Sequence, residues 1–328
     1  MPVNVSGSRD GARGIGASLR GALSIVAVAA IAAALIAAAG TFAPRQTKEA
    51  FMKEETDFRA RREAGLTAPN GWLAVAGLFW LREGATTVGS DPQSDIVLPA
   101  SAPKRAGSLR MRAGIVTLEP AGSGITVNGK PATAAALAPD TEDHPDVVQA
   151  GNIALTIIKR GDRIGVRMRD PGAATRHNFT GCKWFPVSQA WRVQAKWIAY
   201  REPKKLKITN ILGMTDDEPS PGYAEFTING KTLRLEPVID GDGLEFMFRD
   251  ATSGNLTYAP GRFLDTDAPK DGVSKSGFIV LDFNQAYNPP CAFVAYATCP
   301  LPPKQNTLPI AVEAGEKKYG EHPGASAH

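Results

Sequence analysis

The sequence predicts a mainly β protein, in which an apolar N-terminal helix precedes two antiparallel β units. Three observations lead there. Short runs of apolar and β-branched residues recur between Gly, Pro, Asn and Asp clusters from Trp72 onward, the pattern of a β-sandwich. Two Asn-Gly dipeptides, Asn128-Gly129 and Asn229-Gly230, each sit between such runs, where two-residue hairpin turns with positive φ place them. No long amphipathic helix is visible after Arg176. The 33 glycines and 25 prolines in 328 residues fit a loop-rich chain. The net charge of +4 is spread out rather than clustered, which argues against a nucleic-acid partner.

The segments read in order as follows. Residues 1–20 are polar and glycine-rich, with Arg9, Arg13 and Arg20 against a single Asp10, and 21–44 carry no charge. A charge-free run of that length can span a bilayer, and arginine before it places residues 1–20 in the cytoplasm. Three readings stay open for 21–44: an uncleaved single-pass membrane anchor, a signal peptide cut after Ala37-Ala38-Ala39, and a buried helix. The first two put the rest of the chain in the cell envelope, anchored or periplasmic. Residues 45–70 hold an amphipathic helix that packs Phe51 and Phe58, seven apart, on one face. Thr67-Ala-Pro-Asn-Gly71 stops it. Residues 71–170 form a first β domain and 171–320 a second, and 321–328 are expected to be a disordered tail.

Within the first β domain, Val88-Gly89-Ser-Asp-Pro-Gln-Ser-Asp95-Ile-Val-Leu-Pro, then Gly114-Ile-Val-Thr-Leu and Ile125-Thr-Val-Asn128-Gly129-Lys, resemble the forkhead-associated fold over roughly a quarter of the chain. The resemblance implies a β-sandwich. The family grips phosphothreonine with an arginine after the first glycine and a Ser-x-x-His element. This chain has Ser90 at the first place, and Ser101 to Ser108 contain no histidine. The fold is therefore expected without phosphopeptide binding.

The second β domain is expected to be an antiparallel sandwich or partial barrel. Arg192 to Tyr200, Lys205 to Leu212, Ala224 to Pro237, Leu244 to Arg249 and Gly277 to Phe283 read as strands, the last of them mostly buried. After it, Asn288-Pro289-Pro290 and Pro300-Leu-Pro302-Pro303 bracket the apolar segment Cys291 to Cys299. Prolines there fix φ and remove donors, so the Pro-Pro-Cys loop reads as a rigid mount over the second domain. Cys291 and Cys299 allow three states: a disulfide, which export would favour; two buried free thiols; or a metal pair or nucleophile, the least favoured because their spacing exceeds that of zinc pairs. Cys182 reads as a small buried hydrophobe.

A second resemblance spans nearly everything from Phe51 on. Trp72-Leu…Gly77-Leu-Phe-Trp80-Leu, Arg169-Asp-Pro…Arg176, Phe179-Thr-Gly…Trp184-Phe-Pro186, Asn210-Ile-Leu-Gly213, Phe248-Arg249-Asp-Ala-Thr-Ser253-Gly, Asp282-Phe-Asn…Tyr287-Asn-Pro-Pro-Cys291…Cys299-Pro-Leu-Pro-Pro…Asn306 and Ala314-Gly-Glu316-Lys resemble an uncharacterised bacterial family, domain of unknown function 1684. That resemblance implies no activity.

No nucleophile elbow, phosphate loop, dinucleotide fingerprint or His-Glu-x-x-His is present, and the four histidines are scattered. Neither a metal site nor a cofactor is expected. The candidate ligand-binding residues are Arg249, Arg262, Asp282, Asn284, Tyr287, Asn288, Asn306 and Glu316, within a polar group that also includes Asp250, Ser253, Tyr258 and Glu313. Two accounts compete. In the structural one, Asp250 and Ser253 make turn hydrogen bonds and Arg262 pairs with Asp282. In the functional one, arginines bind an anion in a cleft while Asp282 or Glu316 acts as a base. Function is thus expected to be binding of a small molecule or an envelope protein by a membrane-attached chain. The alternative is an envelope hydrolase using the carboxylates of the second domain.

Overall fold

Residues 47–320 are described by the computed structural model; the apolar run 21–44 and the tails 1–20 and 321–328 lie outside the described residues. Among the described residues no helix is long and apolar enough to cross a membrane. Helix α1 (Lys48–Thr67) begins the described fold. Phe51, Glu55, Phe58, Arg62 and Leu66 recur at helical spacing along one face. That face is mixed: Phe51, Glu55 and Leu66 are buried. Gly71 closes the turn after the helix, its N–H donating to the Ala68 carbonyl at 2.8 Å. A Cβ at Gly71 would lie 2.3 Å from the Gly65 carbonyl oxygen, so only glycine fits this close approach.

The first β unit runs from β1 (Val75–Trp80) to β11 (Arg163–Arg169). One sheet has the order β1-β11-β10-β9-β6-β7, with β6 (Ile125–Val127), β7 (Lys130–Pro131), β9 (Val147–Ala150) and β10 (Ile153–Arg160). The other has the order β3-β2-β4-β5-β8, with β2 (Gly84–Gly89), β3 (Ile96–Val97), β4 (Gly107–Arg112), β5 (Ile115–Pro120) and β8 (Ala135–Ala136). Val88, Leu109 and Leu118 of the second sheet share one core with Ile153, Leu155, Ile157 and Val166 of the first, so the sheets form a sandwich. The pairs are antiparallel apart from β2 with β3. The β6–β7 turn holds Asn128 at φ 51° and Gly129 at φ 78°, the geometry of a type I′ hairpin.

A short helix, α2 (Ala174–His177), leads to the second β unit. Its larger sheet has the order β14-β13-β12-β18: β12 (Arg192–Thr209), β13 (Thr215–Ile228), β14 (Lys231–Leu235) and β18 (Gly277–Asp282). The smaller has the order β15-β16-β17: β15 (Val238–Asp240), β16 (Gly243–Phe248) and β17 (Arg262–Asp267). Trp197, Phe226, Leu235, Phe246, Leu264 and Leu281 from both sheets pack into one core. The sheets also meet at their edges, β17 beside β18 and β13 beside β15. Thr266 Oγ1 donates to the Val280 carbonyl at 2.7 Å across the first of those edges. The result is a curled sandwich approaching a barrel. Asn229 (φ 52°) and Gly230 (φ 74°) form the second type I′ turn.

Two sequence expectations are corrected here. The strand at Gly277 is not mostly buried: β18 is the edge of its sheet, and Phe278 and Val280 are 59% and 42% exposed. Edge strands keep one face in solvent, which the apolar composition hid. Arg262 does not pair with Asp282. Register decides both partners. Arg262 lies opposite Phe248, two residues before Asp250, and its Nη2 donates to Asp250 Oδ2 at 2.9 Å. Asp282 lies opposite Arg192, whose Nη1 is 3.4 Å from Asp282 Oδ2.

A further apolar cluster joins Leu66 and Leu73 to Tyr258, Cys291, Phe293, Val294 and Cys299. The two-cysteine segment thus packs on the end of α1 and on the 3₁₀ turn Trp72–Ala74. A fourth cluster, Leu206, Ile208, Met247 and Phe263 with Val238 and Tyr287 beside it, lies on the outer face of the second unit.

Candidate functional site

The sequence-selected residues divide sharply. Arg262 is 1% exposed. Besides Asp250 it donates to the Val312 carbonyl at 3.0 Å and to the Ala314 carbonyl. Glu316 is fully buried. Its carboxylate accepts from the Asn288 N–H at 3.1 Å and from Asn288 Nδ2 at 2.8 Å. Burial raises its pKa, with Arg62 opposing. Asn284 spans the Ser188 backbone, accepting from its N–H and donating to its carbonyl, and also donates to Asp282. Asn306 accepts from the Glu236 N–H and donates to the Glu236 and Met247 carbonyls. Asp250 accepts from Thr252, as the turn reading expected. Arg249 is exposed; its N–H donates to the Asn306 carbonyl at 3.0 Å and its carbonyl accepts from the Leu308 N–H at 2.8 Å. These side chains do not converge on one cleft. Asp282 borders a recess of about 370 Å³ with Arg192, Asp265 and Asp267.

Tyr287 alone of the eight lines the larger pocket, about 530 Å³, set between α1, the tip of the β10–β11 hairpin and the outer face of β16 and β17. Helix α1 supplies Phe58, Arg61 and Arg62; the 3₁₀ turn supplies Trp72; the hairpin supplies Arg160. Glu245, Phe263 and Asp265 come from β16 and β17, and Pro290, Thr298, Cys299 and Pro300 come from the two-cysteine segment. A smaller recess of about 260 Å³ shares Arg160, Glu245, Thr298 and Pro300.

Strand alternation explains the floor. Leu244, Phe246 and Phe248 point into the core, so Glu245 and Met247 point the other way. Glu245 is the direct antiparallel partner of Asp265, which places two carboxylates side by side on one face. Like charges there repel, and one carboxyl holds its proton more tightly. Burial, then the charges of Asp265 and Asp240, push Glu245 up to about 8. Burial also raises Asp265, while the hydrogen bond from Tyr287 lowers it. Asp265 is open to solvent at the mouth, so the push on it is weaker than on Glu245. Tyr287 Oη donates to Asp265 at 3.0 Å, which pushes the Tyr287 hydroxyl itself upward along with its burial.

The cations differ in freedom. Arg62 donates to the Asn288 carbonyl at 2.7 Å and lies 4.6 Å over the Tyr287 ring. Arg160 grips Asp140 at 2.8 and 3.0 Å and donates to Thr298 Oγ1 at 2.9 Å. Arg61 is exposed and, among the described residues, has no hydrogen-bond or ion-pair partner. Among the described residues no group of His, Cys, Asp and Glu side chains could hold a metal. Sequence reasoning missed Glu245, Asp265, Arg61, Arg62, Arg160 and Trp72. One signal was available: a glutamate between Leu244 and Phe246 in a strand that otherwise buries its side chains.

Cys291 and Cys299 adjoin without a bridge. Each sulfur accepts the other residue's backbone N–H, at 3.1 and 3.3 Å. Cys182 is half-buried beside Glu316.

Residues 177–317 match the family described as "Protein of unknown function (DUF1684)", and the chain belongs to that family. An uncharacterized protein of Haloarcula marismortui, solved in solution, is 31% identical and is similar over 45% of this chain and 81% of its own, with a TM-score of 0.38. The FhaA FHA domain, solved in complex with the intracellular domain of Rv3910, is 21% identical over 28% of this chain and 97% of its own, with a TM-score of 0.20. An FHA domain from a study of phosphothreonine-dependent FHA interactions is 22% identical over 28% and 92%, with a TM-score of 0.21. No curated protein matches.

Proposed function

We propose that the protein is a membrane-attached protein of the cell envelope that binds a small molecule in the pocket over Glu245 and Asp265. The observation that carries the reading is the pocket itself. It is concave, of ligand size and walled by Phe58, Trp72, Phe263 and Tyr287, with a few convergent polar groups, the usual make-up of a small-molecule site. The ligand has an apolar or aromatic face for those walls and polar groups that hydrogen-bond with the acid pair. Glu245, whose acid form burial favours, donates, and Asp265 accepts. The charge-free run at 21–44 behind three arginines supports the attachment. Ser90 stands where the forkhead-associated family has its arginine, and its hydroxyl donates to the Ala102 carbonyl at 2.8 Å. That substitution argues against a phosphopeptide as the ligand.

Thermal-shift screening of a metabolite library with the wild type and with Glu245→Gln plus Asp265→Asn tests the binding. Hits that stabilise the wild type and are lost in the double variant support it; equal shifts in both proteins reject the site. A C-terminal reporter active only in the cytoplasm tests the location, and a bright signal would refute it.

The facing register of Glu245 and Asp265 favours a second reading, hydrolysis. Glu245 would act as general acid and Asp265 as base, their affinities for protons held apart by their surroundings. Turnover of a hit, lost on Glu245→Gln with binding retained, would select it.

A further inference from the structure

Cys291 and Cys299 pack in one apolar cluster, yet packing alone does not require two thiols facing each other. Both are buried, 4% and 5% exposed. Reciprocal N–H···S bonds set the two residues face to face. The prolines at 289, 290, 300, 302 and 303 hold both ends of the segment. Cys299 lines the pocket, and behind it Cys291 and Cys299 share a narrow crevice with Tyr258.

We infer that Cys291 and Cys299 form a redox-active dithiol that exchanges with disulfides reaching it through the pocket. Attack needs a thiolate. The Cys299 thiol and N–H draw the Cys291 thiol below its ordinary value, and Arg167 adds to this. Burial raises the Cys299 thiol, so Cys291 is the easier of the two to deprotonate and its sulfur can take the proton of Cys299.

The exchange balances. As the proton passes to Cys291, the Cys299 sulfur attacks an incoming disulfide RS–SR, forming Cys299–S–SR and expelling RS⁻. Cys291 then attacks the Cys299 sulfur, its proton goes to the departing group, and RSH leaves. The two cysteines lose two electrons, and the external disulfide gains them. Of the two residues only Cys299 lines the pocket, so Cys299 receives the partner and Cys291 resolves it. The external co-substrate is a disulfide, and the reverse reaction needs a thiol.

The test uses the full-length reduced protein in buffers of oxidised and reduced glutathione, quenched with acid, alkylated under denaturant and mapped by mass spectrometry. The expected result is a loss of two of the three alkylated thiols, a linked peptide pair containing Cys291 and Cys299, and recovery of both thiols on adding dithiothreitol. Cys182 stays alkylated. Cys291→Ser should accumulate glutathione on Cys299, and Cys299→Ser should leave Cys291 unmodified over the same time. The inference is overturned if three thiols persist in the wild type in fully oxidised glutathione, if Cys182 enters the bridge, or if glutathione collects on Cys291 in the Cys299→Ser protein. The wild-type measurement stands whether or not either variant folds.

Discussion

Two charged regions of the second β unit use the same residue types to opposite ends. Around Arg262, Asp250, Asn288 and Glu316 the side chains bond one another and the C-terminal backbone, although Arg262 Nε and Asn288 Oδ1 have no hydrogen-bond partner among the described residues. Around Glu245, Asp265 and Tyr287 the polar groups are few, two carboxylates face each other, and a free arginine stands at the rim. The first region is a knot that ties the C-terminal loop to the sheets. A buried charge with every partner in place holds a fold together, and removing one partner strands the other. The second keeps hydrogen-bonding capacity for something outside the chain. Arg62 belongs to both: it bonds the Asn288 carbonyl and lies 3.6 Å from Glu316, while its other side covers Tyr287. Density of polar residues in the sequence therefore marks the knot, and two facing carboxylates beside apolar walls mark the site.

Breaking the knot should give the largest effect. Arg262→Met leaves Asp250 buried without its cation, and urea unfolding should show a loss of about 3–5 kcal/mol; a loss below about 1 kcal/mol would erase the contrast. Asn306→Ala strands three backbone groups and should lower stability by roughly 2 kcal/mol on the same measurement.

The pocket should respond to pH instead. Burial holds Glu245 up from 4.5 to about 8, so the folded state favours its protonated form. The stability this contributes is complete below pH 4.5 and is lost as pH rises through 8. Burial likewise lifts Glu55 to about 7, with Asp282 nearby adding to the rise. The melting temperature should thus fall from pH 5 to pH 8.5. Glu245→Gln should flatten the upper part of that fall, and Glu55→Gln the lower. An undiminished slope in Glu245→Gln would mean the acid pair is solvated like any surface pair.

Arg61→Ala should change stability least, within about 0.5 kcal/mol, since Arg61 is exposed. Any hit from the ligand screen that carries an anion should nevertheless bind it more weakly, which isothermal titration would register.

Local features were readable from sequence wherever local chemistry decides them. Asn128-Gly129 and Asn229-Gly230 specify their turns because few other residue pairs accept two positive φ values in succession. The mainly β character was legible in the same way, from short alternating runs between turn residues. The partner of Arg262 was not, because cross-strand register is fixed by packing along whole strands. The pocket was not either: Arg61, Trp72, Arg160, Glu245 and Tyr287 lie far apart in the chain, and no short window contains their meeting. Phe278 looked buried because its neighbours are apolar, yet an edge strand shows alternate residues to water.

Residues 177–317, the stretch that carries the family match, include Glu245, Asp265 and Tyr287 but not Phe58, Arg61, Trp72 or Arg160. The match thus covers the acid-bearing floor and not the α1, 3₁₀-turn and hairpin residues of the roof. Arg160 sits at the tip of a hairpin, opposite Arg163 across a tight turn at Gly161. Lengthening that turn by a residue or two would slide the cation along the rim without disturbing either core. Such an insertion would test whether the rim cation selects the ligand proposed for the pocket.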